Sequence, residues 1–569
     1  MKKILIACFA FFICFQLFGQ SANVPFDADY YHLIDRYEIK QTKFFPQFYS
    51  AFKPFDRQSI AAFADSLYTK EAAYSDADNF NIRYLLNDNW EWAENEQNDR
   101  EKPILKYFYK KNSDAIYANE KDFDLHLSPI VHFSVGSDPE FDASTYINTR
   151  GVRVRGSIGK KIGFFSSFTE NQARFAGYVQ EHIDSTNAVP SERFWKVLSE
   201  SSKNVTQFQV NEGVDFTQAR GYITFVPVGP VQLQLGHDRH KVGNGYRSLA
   251  MSGEMPDYFF MRINTKVWKL QYTNLYAQMS TRAPLNAGQL LPKKYMVMHH
   301  LSMNILPNLN VGIFESVMFG RDSVNNALEL EYLNPLILYR SVELALGDVD
   351  NVNLGFDFRW NLMSRFQLYG QLLIDDLLFS EFRKGSGWHA NKTGTQIGFK
   401  YIDVANIPNL DLQLEYNVVR PYTYAHVGYR DGANYQHYGQ PLAHPLGANF
   451  KEIIGVVRYQ PIPRLWISGK AIIAQRGEDP SPDVNNGANI FLDYNSNRAD
   501  FGNETGQGVR SNLMFADFTA SYHLFHNCFV DAKLLLRQWE TPDANLIFSN
   551  TVFPSISLRW NTGQRLQEF

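Results

Sequence analysis

The sequence predicts an all-β transmembrane β-barrel of eighteen antiparallel strands, of the outer-membrane type, with a small α-helical N-terminal periplasmic segment. Three observations lead there. From about residue 123 apolar and polar residues alternate with a period of two, the pattern of a strand with two unlike faces. The connections between these strands alternate between short turns and long polar loops. After the leader, no stretch is apolar over the roughly 20 residues that a membrane helix needs, which excludes a polytopic helical membrane protein.

Composition agrees. The chain has 569 residues, 15% of them aromatic, with 45 Phe, 31 Tyr and 9 Trp. Aromatic residues collect where barrel strands meet the two membrane surfaces. A net charge of −4 offers no basic surface for nucleic acid.

The N-terminus, MKKILIACFAFFICFQLFG (1–19), has two lysines, a short apolar run and a small residue at its end. It reads as a secretory signal peptide. Cys8 resembles a lipoprotein cysteine but follows the lysines too closely to leave an apolar run. Cleavage after Gly19 leaves Cys528 as the single cysteine and no intrachain disulfide.

Residues 20–121 carry helical signals and are expected to form a periplasmic helical domain. In PFDRQSIAAFADSLYT, Asp56 can cap a helix, Phe55 can staple it, and Ile60, Phe63, Ala64 and Leu67 share one face. A second helical stretch, 81–96, is interrupted by Asn87 and Asn89. Residues 94–102 and 110–122 read as charged loops.

The barrel is expected over 122–569. In LDLQLEYNVV, Leu410, Leu412, Leu414 and Tyr416 alternate with Asp411, Gln413, Glu415 and Asn417. The same alternation sets Leu354, Phe356 and Trp360 against Asp357 and Arg359, and Val152 and Val154 against Arg153 and Arg155. Short turns are expected at 159–161, 228–230, 264–266, 307–309, 362–364, 408–409, 461–464 and 526–527. Nine long connections, the longest at 173–218, 421–451 and 476–512, separate them. Seventeen connections give eighteen strands, with both barrel ends on the short-turn, periplasmic side. A barrel this wide admits water unless plugged. Arg153, Arg155, Asp357, Arg359, Asp411 and Glu415 would line its lumen, and Glu415 is expected to tolerate replacement by arginine.

Three loops could carry chemistry. His237, Asp238 and His240 stand close together, but neighbouring strand residues point to opposite faces and make a poor metal site. Asp493, Asn495, Asn497 and Glu504 fall at positions 1, 3, 5 and 12 of a calcium loop, with Arg498 where the pattern needs glycine. The connection 420–447 is dense in Tyr422, Tyr424, Tyr429, Arg430, Tyr435, His437 and Tyr438. Rings stack on sugar faces and charged groups bond hydroxyls; the same rings could equally pack the loop into the barrel mouth. His237, Arg239 and Arg247 complete this set of candidate glycan contacts. No nucleophile elbow, P-loop or zinc-helix motif is present, so no enzyme and no cofactor is expected.

Several blocks resemble the capsule assembly Wzi family of outer-membrane proteins, including members linked to gliding motility. They are 27–39, LQLGHDRHKVGNGYRSLAMS (233–252) with 262–272, 330–340 with 347–360, and YQHYGQPLAHPLG (435–447). The match is clearest at Gly236, Gly243, Gly245, Arg247 and Ser248, and at Tyr435, Tyr438, Gly439 and Gly447. The resemblance implies an eighteen-stranded barrel with a periplasmic helical portion and a non-enzymatic role in holding surface polysaccharide. Two alternatives stand beside it: an accessory component of gliding motility or secretion machinery, with outer-membrane protein partners, and a diffusion channel.

Overall fold

The computed structural model describes residues 21–569 except 27, 48–50, 96–98, 101–103, 105, 140–142, 160, 187, 193–195, 198–212, 282–291, 321–328, 336–349, 427–432, 482 and 542–546. The expected signal peptide therefore lies outside the described residues.

Eighteen antiparallel strands form a closed barrel. They are β1 (Phe123–Asp138), β2 (Ala143–Ile158), β3 (Ile162–Arg174), β4 (Val214–Val228), β5 (Val231–Asp238), β6 (Tyr258–Val267), β7 (Leu270–Ser280), β8 (Lys293–Leu306) and β9 (Leu309–Phe319). The second half comprises β10 (Asn351–Leu362), β11 (Phe366–Asp376), β12 (Lys392–Tyr401), β13 (Leu410–Val419), β14 (Phe450–Ile462), β15 (Leu465–Glu478), β16 (Val509–Phe525), β17 (Cys528–Thr541) and β18 (Ile547–Trp560). Each pairs with the next, and β18 closes on β1 with Trp560 opposite Val131. Closure leaves no open edge, as a membrane requires.

The two faces differ as the alternation predicts. Leu414, Phe356, Val152 and Ile556 point outward and are exposed, while Glu415, Asp357, Arg155 and Arg559 point inward and are buried. Two short turns differ from expectation. Residues 264–266 continue β6, and the chain turns at Trp268–Lys269, with Trp268 at φ 55°. Asn264 is not a turn residue: its carboxamide accepts a hydrogen bond from Thr273 across the strand pair (3.1 Å). The 408–409 turn is also longer than expected, occupying all the residues between Tyr401 and Leu410.

Helices α1 (Tyr31–Lys40), α2 (Arg57–Tyr68) and α3 (Asp76–Asp88) precede the barrel. Asp56 caps α2, accepting from Ser59 N (2.8 Å), and Ser75 and Asp78 form a capping box on α3. Tyr37, Phe63, Leu67, Ile82 and Leu85 give these helices their own core. They sit against the short turns: Phe44 N donates to Pro307 O, Ser75 to Asn409, Asn81 to Gln460, and Asn527 to Asp88.

Candidate functional site

The lumen is filled from both ends. At the short-turn end, buried ion pairs bind the helical segment to the barrel wall. Arg36 reaches Asp78 (3.1 Å), Asp403 (2.6 Å) and Asp411, Glu38 holds Arg359 (2.8 Å), and Asp29 holds Arg559 (2.6 Å). Burial opposes the charge on Asp78, but Arg36 and Lys40 hold its carboxyl down at about 2. Arg155 joins Asp114 and Glu91. Of the side chains expected to line a water-filled lumen, Arg155, Arg359 and Asp411 are thus committed to packed ion pairs, Arg153 donates to Asn561 O (2.8 Å), and Asp357 lies against His300 (2.7 Å).

From the other end the connections fold inward. Residues 239–257 drop into the barrel, where Phe52–Lys53 pairs with Lys241–Val242, and Val242 pairs in turn with Met251. Glu415 fastens the tip of this connection. Its carboxylate accepts from Tyr246 N (2.6 Å), Arg247 N (2.9 Å) and the Tyr369 hydroxyl (2.8 Å). Gly245 is required at that tip, because a Cβ there would lie 2.5 Å from the Glu415 carboxylate. Glu415 is therefore a buried clamp, and the expectation that it tolerates arginine is corrected. After β18, residues 561–569 turn back into the lumen, where Arg565 pairs with Glu192 (3.0 Å) and Phe569 packs on His182 of α4 (Gly177–Thr186).

Residues 420–426 and 433–449 of the aromatic connection close over this assembly. Tyr422, Tyr424, Tyr435 and His437 are all within 2% of complete burial, and Tyr438 is 9% exposed. Tyr424 stacks on Tyr435 (5.6 Å) and donates to Leu249 O (2.8 Å). His437 accepts from Ser280 N (3.0 Å). Burial pushes the Tyr435 phenol up to about 12. Of the two readings of these rings, the geometry places them as packing inside the connection. Tyr429 and Arg430 lie outside the described residues.

The other candidates are dispersed. His237 is half-buried at the end of β5, with its ring against Ala219 O (3.2 Å). Asp238 and His240 are buried inside, His240 against Tyr258 and Phe260. Arg239 is near Asp257 (3.6 Å). Arg247 is fully buried among Glu254, Glu452 and Glu568. Asp493 accepts from Asn495 N (2.8 Å), a local turn cap, and Asn497 donates to Asp500 (3.3 Å). Among the described residues no three His, Cys, Asp or Glu side chains converge as metal ligands.

The sequence reading missed the rings that do face outward on this end. Phe379 and Phe382 of α5 (Phe379–Lys384) are exposed, and so is Phe501, which packs on Trp388 at 5.0 Å. His389 and Asp500 border that pair. Isolated aromatics in separate loops give no sequence signal; only the fold joins residues 388 and 501.

Comparison with known proteins places this architecture. The family model "Capsule assembly protein Wzi" matches residues 138–551. Wzi of Escherichia coli, an outer-membrane protein described as a carbohydrate-binding β-barrel involved in group 1 capsule assembly, superposes with a TM-score of 0.56 at 12% identity, over 95% of this chain and 100% of that one. Pseudomonas aeruginosa OprD is more distant, with a TM-score of 0.41 at 10% identity over 77% of this chain and 94% of that one. No curated protein sequence matches significantly. A family match across most of the chain, on a closed eighteen-stranded barrel, assigns this protein to the Wzi capsule assembly family of outer-membrane β-barrels.

Proposed function

We propose that the protein binds surface polysaccharide on its long-connection face and so retains it at the outer membrane, with the helical segment on the periplasmic side. The observation that carries this reading is the packed lumen: among the described residues, inward-folded connections occupy the outer end and present a built surface there. The same observation argues against a diffusion channel. The carbohydrate binding described for Escherichia coli Wzi supports the choice of ligand. Trp388 and Phe501 supply adjacent rings for sugar stacking, and Asp500 and His389 supply hydrogen-bonding groups at the edge. Tyr422, Tyr424, Tyr435, His437 and Tyr438 act beneath this surface by holding the connections in place.

Individual contacts of this kind are weak, and a polymer engaging many copies gains by avidity. The test compares cell-bound with shed polysaccharide in a deletion strain and in a Trp388→Ala/Phe501→Ala strain. Both should shed glycan, while the double variant keeps a heat-modifiable barrel. Normal glycan retention in the deletion strain would overturn the reading. Retention lost only in the deletion strain would move the contact away from these two rings.

A further inference from the structure

A cavity of about 400 Å³ lies inside the lumen, between the N-terminal segment, the inward connection 239–257 and residues 562–567. That volume falls within the range of small-molecule sites. Its carboxylates are already committed: Asp35 to Lys400 (2.7 Å), Glu192 to Arg565 (3.0 Å), Asp29 to Arg559 (2.6 Å) and Glu254 to Arg247 (3.5 Å). Five further cations line it; Arg220 and Arg239 lie near Asp257 (3.4 and 3.6 Å), which leaves Lys53, Lys241 and Arg458. Among the described residues none of the three has a carboxylate within ion-pair distance.

Lys53 and Lys241 are also placed against each other. They are direct partners across an antiparallel strand pair and are both more than nine-tenths buried. Like charges directly opposite destabilise such a pair. Each ammonium donates to one backbone carbonyl, Lys53 to Gly243 O and Lys241 to Tyr246 O, both at 2.8 Å. An ammonium has three donors, so each has two left over. The rings of Phe55 and Phe26 lie beside them, and their carboxylate neighbours, Asp35 for Lys53 and Glu254 and Glu415 for Lys241, act from beyond ion-pair distance. Arg458 donates only to the neutral Gln413 carboxamide (3.2 Å).

The ionisable groups around the cavity register its positive field. Burial, then Arg458, pushes His32 down to about 3, leaving it neutral. Burial opposes the charge on Asp35, yet Lys400 and Lys53 hold its carboxyl at about 2. Burial pushes the Lys53 ammonium down to about 7. Buried charges need partners, and the lining of this cavity holds more cations than carboxylates.

We propose that the lumenal cavity binds an oxyanion, a carboxylate or phosphate group on a molecule no larger than a monosaccharide, through Lys53, Lys241 and Arg458. This site is separate from the outer glycan surface and does not depend on it. A uronic acid and free inorganic phosphate share the required chemistry.

The experiment uses the full purified chain in detergent and measures thermal unfolding and calorimetric binding with sodium glucuronate, sodium phosphate, glucose and sodium chloride at matched ionic strength. A ligand bound by the native state alone raises the unfolding temperature saturably. Glucuronate or phosphate should do so, and glucose and chloride should not. A response to glucuronate alone assigns a sugar acid, and a response to phosphate alone assigns phosphate. In Lys53→Gln/Lys241→Gln the half-saturating concentration should rise at least tenfold. If that variant does not assemble, Arg458→Gln takes its place with the same criterion. No response beyond chloride, or equal responses in wild type and variant, would overturn the proposal.

Discussion

The two ends of the barrel are closed by different physics. At the short-turn end a separate helical segment with its own apolar core docks through buried ion pairs, Arg36 with three aspartates and Glu38 with Arg359. At the long-connection end the barrel's own loops fold in, and stacked rings such as Tyr424 on Tyr435 fill the interior alongside Leu442 and Phe450. Ion pairs depend on both partners, because a lone buried charge is costly. Aromatic packing depends on volume. Each end should therefore fail under a different perturbation while the other stays closed.

The largest effect is expected at Arg36. Arg36→Met leaves Asp78, Asp403 and Asp411 without their shared guanidinium. Breaking a buried pair in this way costs about 3–5 kcal/mol. The helical segment should become protease-sensitive while the barrel keeps its heat-modifiable migration. Loss of both together would show that the two closures are not independent.

The matching change at the other end is Tyr435→Ala. Removing a buried ring costs about 3 kcal/mol when the surroundings cannot collapse. Protease should then cut within 420–449 on intact cells, and the helical segment should remain protected. If the loop stays resistant, the ring is not what holds it.

Acid should act on the helical segment. The Asp78 carboxyl is held near 2 against an ordinary 3.8. A depressed carboxyl contributes stability that is complete above its unfolded value and is lost as pH falls through its folded value. Packing of α1 against α3 should thus weaken by about 2 kcal/mol between roughly pH 4 and 2, read as pepsin cleavage of the helices. Arg36→Met should flatten that step. An unchanged step in the variant would assign the pH dependence to another group.

This division also explains what was legible in the sequence. The strands were readable because each has two chemically unlike faces. The alternation of Leu414 with Glu415 survives in the structure as an outward and an inward side chain. Helix α2 was legible from Asp56 and an apolar stripe, whereas α3 was expected as an interrupted stretch over 81–96 and instead runs Asp76–Asp88 behind the Ser75 capping box. Helix α1 was not, because Arg36 and Glu38 are buried on it by ion pairing with distant strands, and no local pattern carries that information. The turn expected at Asn264 failed for a similar reason: its partner Thr273 lies on the adjacent strand. The inward folding of 239–257 was illegible and that of 420–449 was one of two open readings, because both depend on where a closed wall puts Glu415, Asp375 and Ser280.

The smallest expected effect concerns the acidic loop at the outer end. Asp493 spends one carboxylate oxygen on the N–H of Asn495, and its backbone carbonyl accepts from Ser496 N and from the Ser496 hydroxyl (2.6 Å). These bonds make a local turn cap over Tyr494–Ser496. Losing such a cap typically costs about 1 kcal/mol. Asp493→Ala should therefore speed proteolytic nicking within 479–508 only slightly, and Asp493→Asn, which keeps the accepting oxygen, should not speed it at all. Calcium distinguishes this role from the ligand role that the spacing of Asp493, Asn495, Asn497 and Glu504 suggests. A calcium ligand would make nicking of the wild-type loop slower with calcium than with chelator, and both substitutions would abolish the difference. A turn cap makes nicking independent of calcium and preserves the ranking of alanine over asparagine. The loop joins β15 to β16 and is tied to the 420–449 connection, where the Tyr422 hydroxyl donates to Asn485 O (3.1 Å) and accepts from Arg498 N (3.1 Å), so any added nicking of 420–449 should stay within the same small effect, and protection of the helical segment should not change.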